Sequence, residues 1–194
     1  MLNLLRGSAL QPSQRAEDRL DREKTNGGQI MKALLKVLLV ALALVTLSSC
    51  GPGVRPYTGP VVTSVEVHKA DRKMFLLHGT EVLKAYDIHL GGNPIGPKQV
   101  EGDGKTPEGR YFITHRNAQS AYHLSLGISY PNDADRAYAA ALGRPPGGDI
   151  FLHGRPTKGR PSGDWTAGCI AVNNREIEQI FSMVNPGTVI NIYP

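Results

Sequence analysis

Cysteine is scarce: Cys50 and Cys169 are the two in 194 residues, too few for the disulfide framework of a small secreted module. The six histidines are scattered and share no ligand spacing with either cysteine, which argues against a structural zinc site. Neither a Gly-x-Ser-x-Gly elbow nor a Gly-x-x-x-x-Gly-Lys-Ser/Thr loop occurs, so the common serine-hydrolase and phosphate-cradling motifs are excluded. The apolar stretch from Val37 to Leu47 falls well short of the roughly 20 residues that a spanning helix needs. Internal repeats and low-complexity tracts are missing as well. What is there is an apolar fraction of 40% with a mean hydropathy of -0.25, enough for one packed core and unlike a polytopic membrane protein or a wholly disordered chain.

The formal net charge of +5 is unevenly distributed. Residues 1–49 hold seven Lys/Arg and four Asp/Glu, which leaves 15 and 13 for residues 50–194. The remaining chain is nearly balanced and has no basic run interleaved with aromatics, so no nucleic-acid partner is expected.

Met31-Lys32-Ala33-Leu34-Leu35-Lys36 places two lysines before the apolar stretch, which ends in Leu47-Ser48-Ser49-Cys50. A cationic start, a short apolar segment and small residues at its end form a secretory signal over residues 31–49. Leu-Ser-Ser-Cys is similar to the bacterial lipobox, which implies that Cys50 is lipidated and becomes the mature N-terminus. Acyl chains, at about 0.8 kcal/mol per buried CH₂, would then hold an exported domain to a membrane. Gly51 rather than Asp follows Cys50, which points to the outer membrane where a host has one. Residues 1–30 are polar and precede the signal; they are expected to be an upstream extension or the product of a mis-assigned start, with Met31 the true first residue. Residues 50–60 are Gly/Pro-rich and predict an extended tether, with the folded domain expected over 61–194.

Within that domain, alternating β-branched residues predict a strand over 61–67. Strands at 74–77 and 81–86 flank a His78-Gly79-Thr80 turn, the second of them continuing toward His89. Further strands are expected at 110–114, 122–126 and 188–192. Asn132 to Leu142 reads as a helix capped by Asn132 or Asp133, and Arg175 to Val184 as an amphipathic helix capped by Asn173 or Asn174. Many strands and two short helices define a mainly β, mixed α+β domain.

Chemistry concentrates in Gly148-Asp149-Ile150-Phe151-Leu152-His153-Gly154 and Thr166-Ala167-Gly168-Cys169-Ile170-Ala171-Val172. A strand ending in His-Gly puts an imidazole at a sheet edge. A chain turning at Gly168-Cys169 from a polar loop into an apolar segment can hold a thiol at a mouth. An imidazole beside a thiol can take its proton, giving a nucleophile for acyl transfer. The backbone N–H groups of Gly168 and Cys169 are candidates for an oxyanion hole. By residue type alone, Cys169 before Ile-Ala-Val reads equally as a small core residue, and pairing with Cys50 also stays open.

The run Gly102-Asp103-Gly104-Lys105-Thr106-Pro107-Glu108-Gly109-Arg110-Tyr111, then His153-Gly154, then Gly168-Cys169-Ile170 and Asn174, resembles the L,D-transpeptidase catalytic domain, also called the YkuD family. The likeness spans nearly all of residues 61–194. It implies a β-sandwich-like fold and a ping-pong acyl transfer on peptidoglycan stem peptides, with no metal and no cofactor. By that resemblance Cys169 is the nucleophile and His153 the general base and later acid. Gly154 supplies the carbonyl that orients the ring, and Gly168 belongs to the oxyanion hole. Arg155 and Trp165, in the loop between, are candidate substrate contacts. Family members usually show Ser/Thr-His-Gly-Cys and often Arg or Asn two residues beyond the cysteine; here Ala167 and Ala171 stand at those places. These departures bear on the acceptor. A hydrolase using the same pair, either amidase or L,D-carboxypeptidase, and a non-catalytic wall-binding lipoprotein are the competing expectations.

Overall fold

The computed structural model describes residues 35–36, 54–159 and 161–194. Apart from Leu35 and Lys36, which are helical, the expected signal and the lipidation candidate Cys50 lie outside the described residues. The chain divides into units 1–50 and 51–194, and the second carries the fold. Among the described residues no helix is long and apolar enough to cross a membrane.

The elements run β1 (Ser64–His68), β2 (Lys73–His78), β3 (Glu81–Asp87), β4 (Gly109–Ser120), β5 (His123–Ile128), α1 (Asp133–Ala141), β6 (Phe151–His153), β7 (Ile170–Ala171), α2 (Asn174–Met183) and β8 (Val189–Tyr193). Their order across the sheet is β3-β2-β1-β8-β4-β5-β6-β7, with β1–β8 and β6–β7 parallel and the other pairs antiparallel. Strand β4 joins two halves. Its start, Gly109–Phe112, pairs with β8, and its continuation from Ile113 pairs with β5 through two register shifts. Such irregularities bend a strand and increase its twist. The ladder's two ends meet, because His89 and Gly91, just beyond β3, bridge to Ala171 and Thr166. The result is the expected mainly β, sandwich-like domain with two helices.

Period-two burial explains the core. Val65 and Val67 of β1, Met74 and Leu76 of β2, Tyr111 and Ile113 of β4, Leu124 and Leu126 of β5, and Ile190 of β8 are all buried. Helix α2 covers β5 with Ile177, Ile180 and Met183; each fully buried isoleucine contributes about 1.5–3 kcal/mol. Its start is fixed by Asn173, whose side chain accepts from Glu176 N while Glu176 accepts from Asn173 N, a reciprocal cap that satisfies two orphan donors. The segment expected to be a bare tether does more than span distance: Val54 and Tyr57 pack against the core.

Candidate active site

Strand β6 turns Leu152 into the core, so its neighbours Phe151 and His153 share the opposite face. The parallel register pairs Leu152 with Ile170 and His153 with Ala171. One step back on β7 puts Cys169 beside Phe151, whose N–H donates to Cys169 Sγ at 3.4 Å. Cys169 and His153 therefore lie on one face, one strand and two residues apart, about 8 Å between Cα atoms from strand spacing and rise. Both line a cavity of about 230 Å³, together with Asn117, Tyr122, Ser125 and Asp149. The two expected residues, 16 positions apart in the chain, are brought together.

The imidazole is fixed on three sides. His153 Nδ1 lies 2.6 Å from Gly154 O; a carbonyl only accepts, so Nδ1 carries the proton and Nε2 keeps its lone pair. Tyr122 stacks at 4.4 Å between ring centroids, and Trp165 meets the ring edge-on at 5.6 Å. Residue 154 has to be glycine, because a Cβ there would stand 2.7 Å from Asn174 Oδ1 and 2.8 Å from Tyr122 O. His153 is 3% exposed, and that burial holds its pKa below the usual imidazole value, with the Gly154 hydrogen bond acting against it. Burial likewise pushes the Cys169 thiol up; the Phe151 N–H opposes this and the Asp149 charge adds to it. Both shifts favour the uncharged forms, thiol and imidazole, over a thiolate–imidazolium pair formed in advance.

Behind Cys169 stands the segment 102–111. Asp103 accepts from the backbone N–H groups of Gln99, Val100 and Lys105 and from Lys98 Nζ. Burial pushes this carboxyl up, but those donors outweigh it and hold it below the ordinary carboxylate value. Lys69 Nζ, itself buried, donates to Thr106 O and Glu108 Oε1, and Thr106 Oγ1 accepts from Gly91 N. The knot delivers Lys105 O to a point 2.6 Å from where a Cβ on residue 168 would be. Gly168 also has φ +134°. Its N–H donates to Thr166 Oγ1 at 3.2 Å, and that hydroxyl donates to Cys169 O at 2.7 Å. The Gly168 amide, the expected oxyanion donor, is thus engaged by Thr166 Oγ1 in this structure.

Both loop candidates are engaged by the protein itself. Arg155 directs one guanidinium nitrogen to Pro161 O at 2.9 Å and the other to His89 Nε2 at 3.1 Å, while its backbone N–H reaches Asn174 Oδ1. It braces the loop. Trp165 backs the imidazole and does not line the cavity. Asp164 secures the same loop by accepting from the Arg72 guanidinium and Leu90 N. Ala167 is exposed and Ala171 buried. Among the described residues no group of three or more His, Cys, Asp or Glu could hold a metal ion. Tyr122 and Asp149 were not singled out from sequence. Asp149 lies inside the 148–154 stretch in which the sequence concentrates its chemistry; nothing marked Tyr122, which reaches the site from the β4–β5 turn.

A sheet bent around one central strand, with a Cys–His pair on one face of its final strands, is an L,D-transpeptidase fold. The profile of the YkuD L,D-transpeptidase catalytic domain matches residues 63–192, and the chain belongs to that family. Among curated proteins it is 27% identical over 183 residues to "Putative L,D-transpeptidase YafK" of Escherichia coli (strain K12), covering 85% of this chain and 69% of that one. Among solved structures it resembles the helical cell shape determining protein Pgp2 from Campylobacter jejuni, with a TM-score of 0.55 and 25% identity over 70% of this chain and 49% of that one. Bd1075 from Bdellovibrio bacteriovorus gives a TM-score of 0.50 and 26% identity over 72% of this chain and 51% of that one. The chain thus spans about half the length of these solved relatives.

Proposed function

We propose that this protein is a peptidoglycan L,D-transpeptidase in which Cys169 and His153 perform acyl transfer on stem peptides. The observation that carries the reading is the shared cavity of Cys169 and His153, with Nδ1 committed to Gly154 O and Nε2 left as base. In the first half-reaction Nε2 takes the thiol proton as sulfur attacks the carbonyl of the L-centre of meso-diaminopimelate or a like residue. The tetrahedral intermediate collapses to a thioester, and the same proton passes to the departing amine of the terminal D-amino acid. In the second, an incoming amine, or water, gives a proton to Nε2 and its lone pair to the carbonyl, and the thiol is restored. The oxyanion is assigned to the Cys169 N–H, given that the Gly168 N–H is engaged by Thr166. Cys50 is proposed as the lipidated residue of an exported protein anchored at the membrane surface facing the wall. The likeness to a protein named for determining cell shape fits a wall-remodelling role.

The test is incubation of the purified protein with tetrapeptide muropeptides, read by mass spectrometry. Adduct formation on Cys169 and crosslinked dimers are expected. Tripeptide monomers without dimers would make the enzyme a hydrolase working through the same pair. Product formation that survives in Cys169→Ala would overturn the reading, and a wild-type protein that binds muropeptides but forms no adduct would be a wall-binding lipoprotein.

A further inference from the structure

One residue on the cavity wall works against the first half-reaction. Asp149 lines the cavity, its backbone carbonyl oxygen lies 3.5 Å from Cys169 Sγ, and its charge acts on that sulfur in the direction that disfavours thiolate, while the charge of Lys98, which is paired with Asp103, acts the other way. It also occupies a left-handed backbone position, φ +54°, where residues other than glycine, asparagine and aspartate are rare. The conformation serves the carbonyl. A glycine or asparagine would hold it as readily and leave the nucleophile without an opposing charge. Among the described residues its carboxylate forms no ion pair.

A carboxylate beside a nucleophilic sulfur must be useful where positive charge arrives. The reaction brings two cations to the site: the imidazolium formed transiently at His153 and the ammonium of an amine acceptor. The other residues named on the cavity wall, Asn117, Tyr122 and Ser125, are neutral, and the buried imidazole is neutral at rest. The wall is therefore anionic at one point, next to the sulfur that carries the acyl group. We propose that Asp149 is the acceptor-selecting residue of this site: it draws a protonated amine to the thioester and discriminates against acceptors without positive charge. This deepens the acyl-transfer reading above and rests on it. The step balances. The ammonium held at Asp149 first loses one proton to solvent; its nitrogen then forms the C–N bond as the C–S bond breaks, and its next proton passes through Nε2 to the departing sulfur.

The experiment uses the full chain, a tetrapeptide donor and two small acceptors of similar size, methylamine (cationic at neutral pH) and methoxyamine (neutral). The kcat/KM for each acceptor is measured in wild type, Asp149→Asn, Asp149→Gly and Asp149→Glu. The ratio of the two kcat/KM values within one variant cancels any change in folding or acylation. A partly exposed ion pair predicts a shift of about fivefold against methylamine in both neutral variants, with recovery in Asp149→Glu. Glycine relaxes the positive φ and asparagine keeps a side chain, so a shift in only one of them would overturn the proposal by tracing the effect to the backbone. An unchanged ratio in both would also overturn it and would assign Asp149 to the imidazolium. Failure of the wild-type protein to form any adduct on Cys169 would instead remove the reading beneath it.

Discussion

The carbonyl oxygen of Lys105 lies 2.6 Å from the point a Cβ on residue 168 would occupy. Two parts of the chain more than 60 residues apart are pressed together so closely that only a hydrogen fits between them, and Cys169 is the next residue. Gly168→Ala combines this clash with a positive φ of 134°, so it is expected to cost about 3 kcal/mol, roughly a 10 °C fall in Tm for a chain of this size. It should also displace Cys169. Thermal melting and the rate of Cys169 alkylation measure the two effects; a variant with wild-type values for both would refute the close approach.

Asp103 holds the same turn from one layer further back. Its partner Lys98 has a side chain 4% exposed, so Asp103→Ala leaves a buried ammonium without its counter-charge, held by the Val100 carbonyl alone, and three backbone donors unpaired, at about 3–5 kcal/mol. The native carboxyl is held below its ordinary value. A depressed folded pKa gives stability that is full above the ordinary carboxylate value, about 3.9, and is lost as pH falls through the folded one. Asp164, also held low because Arg72 and Leu90 N outweigh its burial, acts with the same sign. Melting curves from pH 7 to pH 2 should show the Tm gap between wild type and Asp103→Ala wide above pH 5 and closing below about pH 4. A gap independent of pH would show that the charge contributes nothing.

Much of this architecture was legible because its causes are local. Alternating β-branched residues marked β1, and an amphipathic run behind Asn173 or Asn174 marked α2. The end of β4 was not legible, since His115 to Ser120 are mainly exposed and their pairing is dictated by β5 rather than by a buried face. The Cys–His pair could be named from the motifs, yet its convergence depends on the β6–β7 register, a tertiary property. Arg155 shows a second limit. By type a basic residue after His-Gly is a candidate substrate contact, and the structure gives its guanidinium Pro161 O and His89 Nε2, partners that no sequence pattern links to it.

The resting protonation state sets how activity responds to pH. Burial lowers His153 and raises Cys169, so the imidazole stays a competent base below its usual value of about 6.5, and the thiol ionises above the ordinary thiol range. The acid limb of kcat/KM is therefore expected below pH 6.5. Alkylation of Cys169 by iodoacetamide should climb steadily through alkaline pH, and His153→Ala should slow it at neutrality. Fast alkylation that is already level below pH 6 would instead reveal a preformed thiolate–imidazolium pair and contradict this assignment.

Trp165 presents its ring to the His153 edge and to Tyr122, while its buried Nε1–H has no acceptor among the described residues. An unsatisfied buried donor costs about 1–3 kcal/mol. Trp165→Phe removes that donor and keeps an aromatic face, so the loss of packed area is offset and Tm should stay within a few degrees of wild type. Trp165→Ala removes the edge contact, which contributes about 0.5–1.5 kcal/mol beyond area burial, and frees the imidazole to rotate away from Gly154 O. As a positioning residue it should act on kcat, lowering it about tenfold with KM little changed, because it does not line the cavity. If Trp165→Ala instead raises KM at constant kcat, the indole contacts substrate and the loop closes over the cavity during turnover.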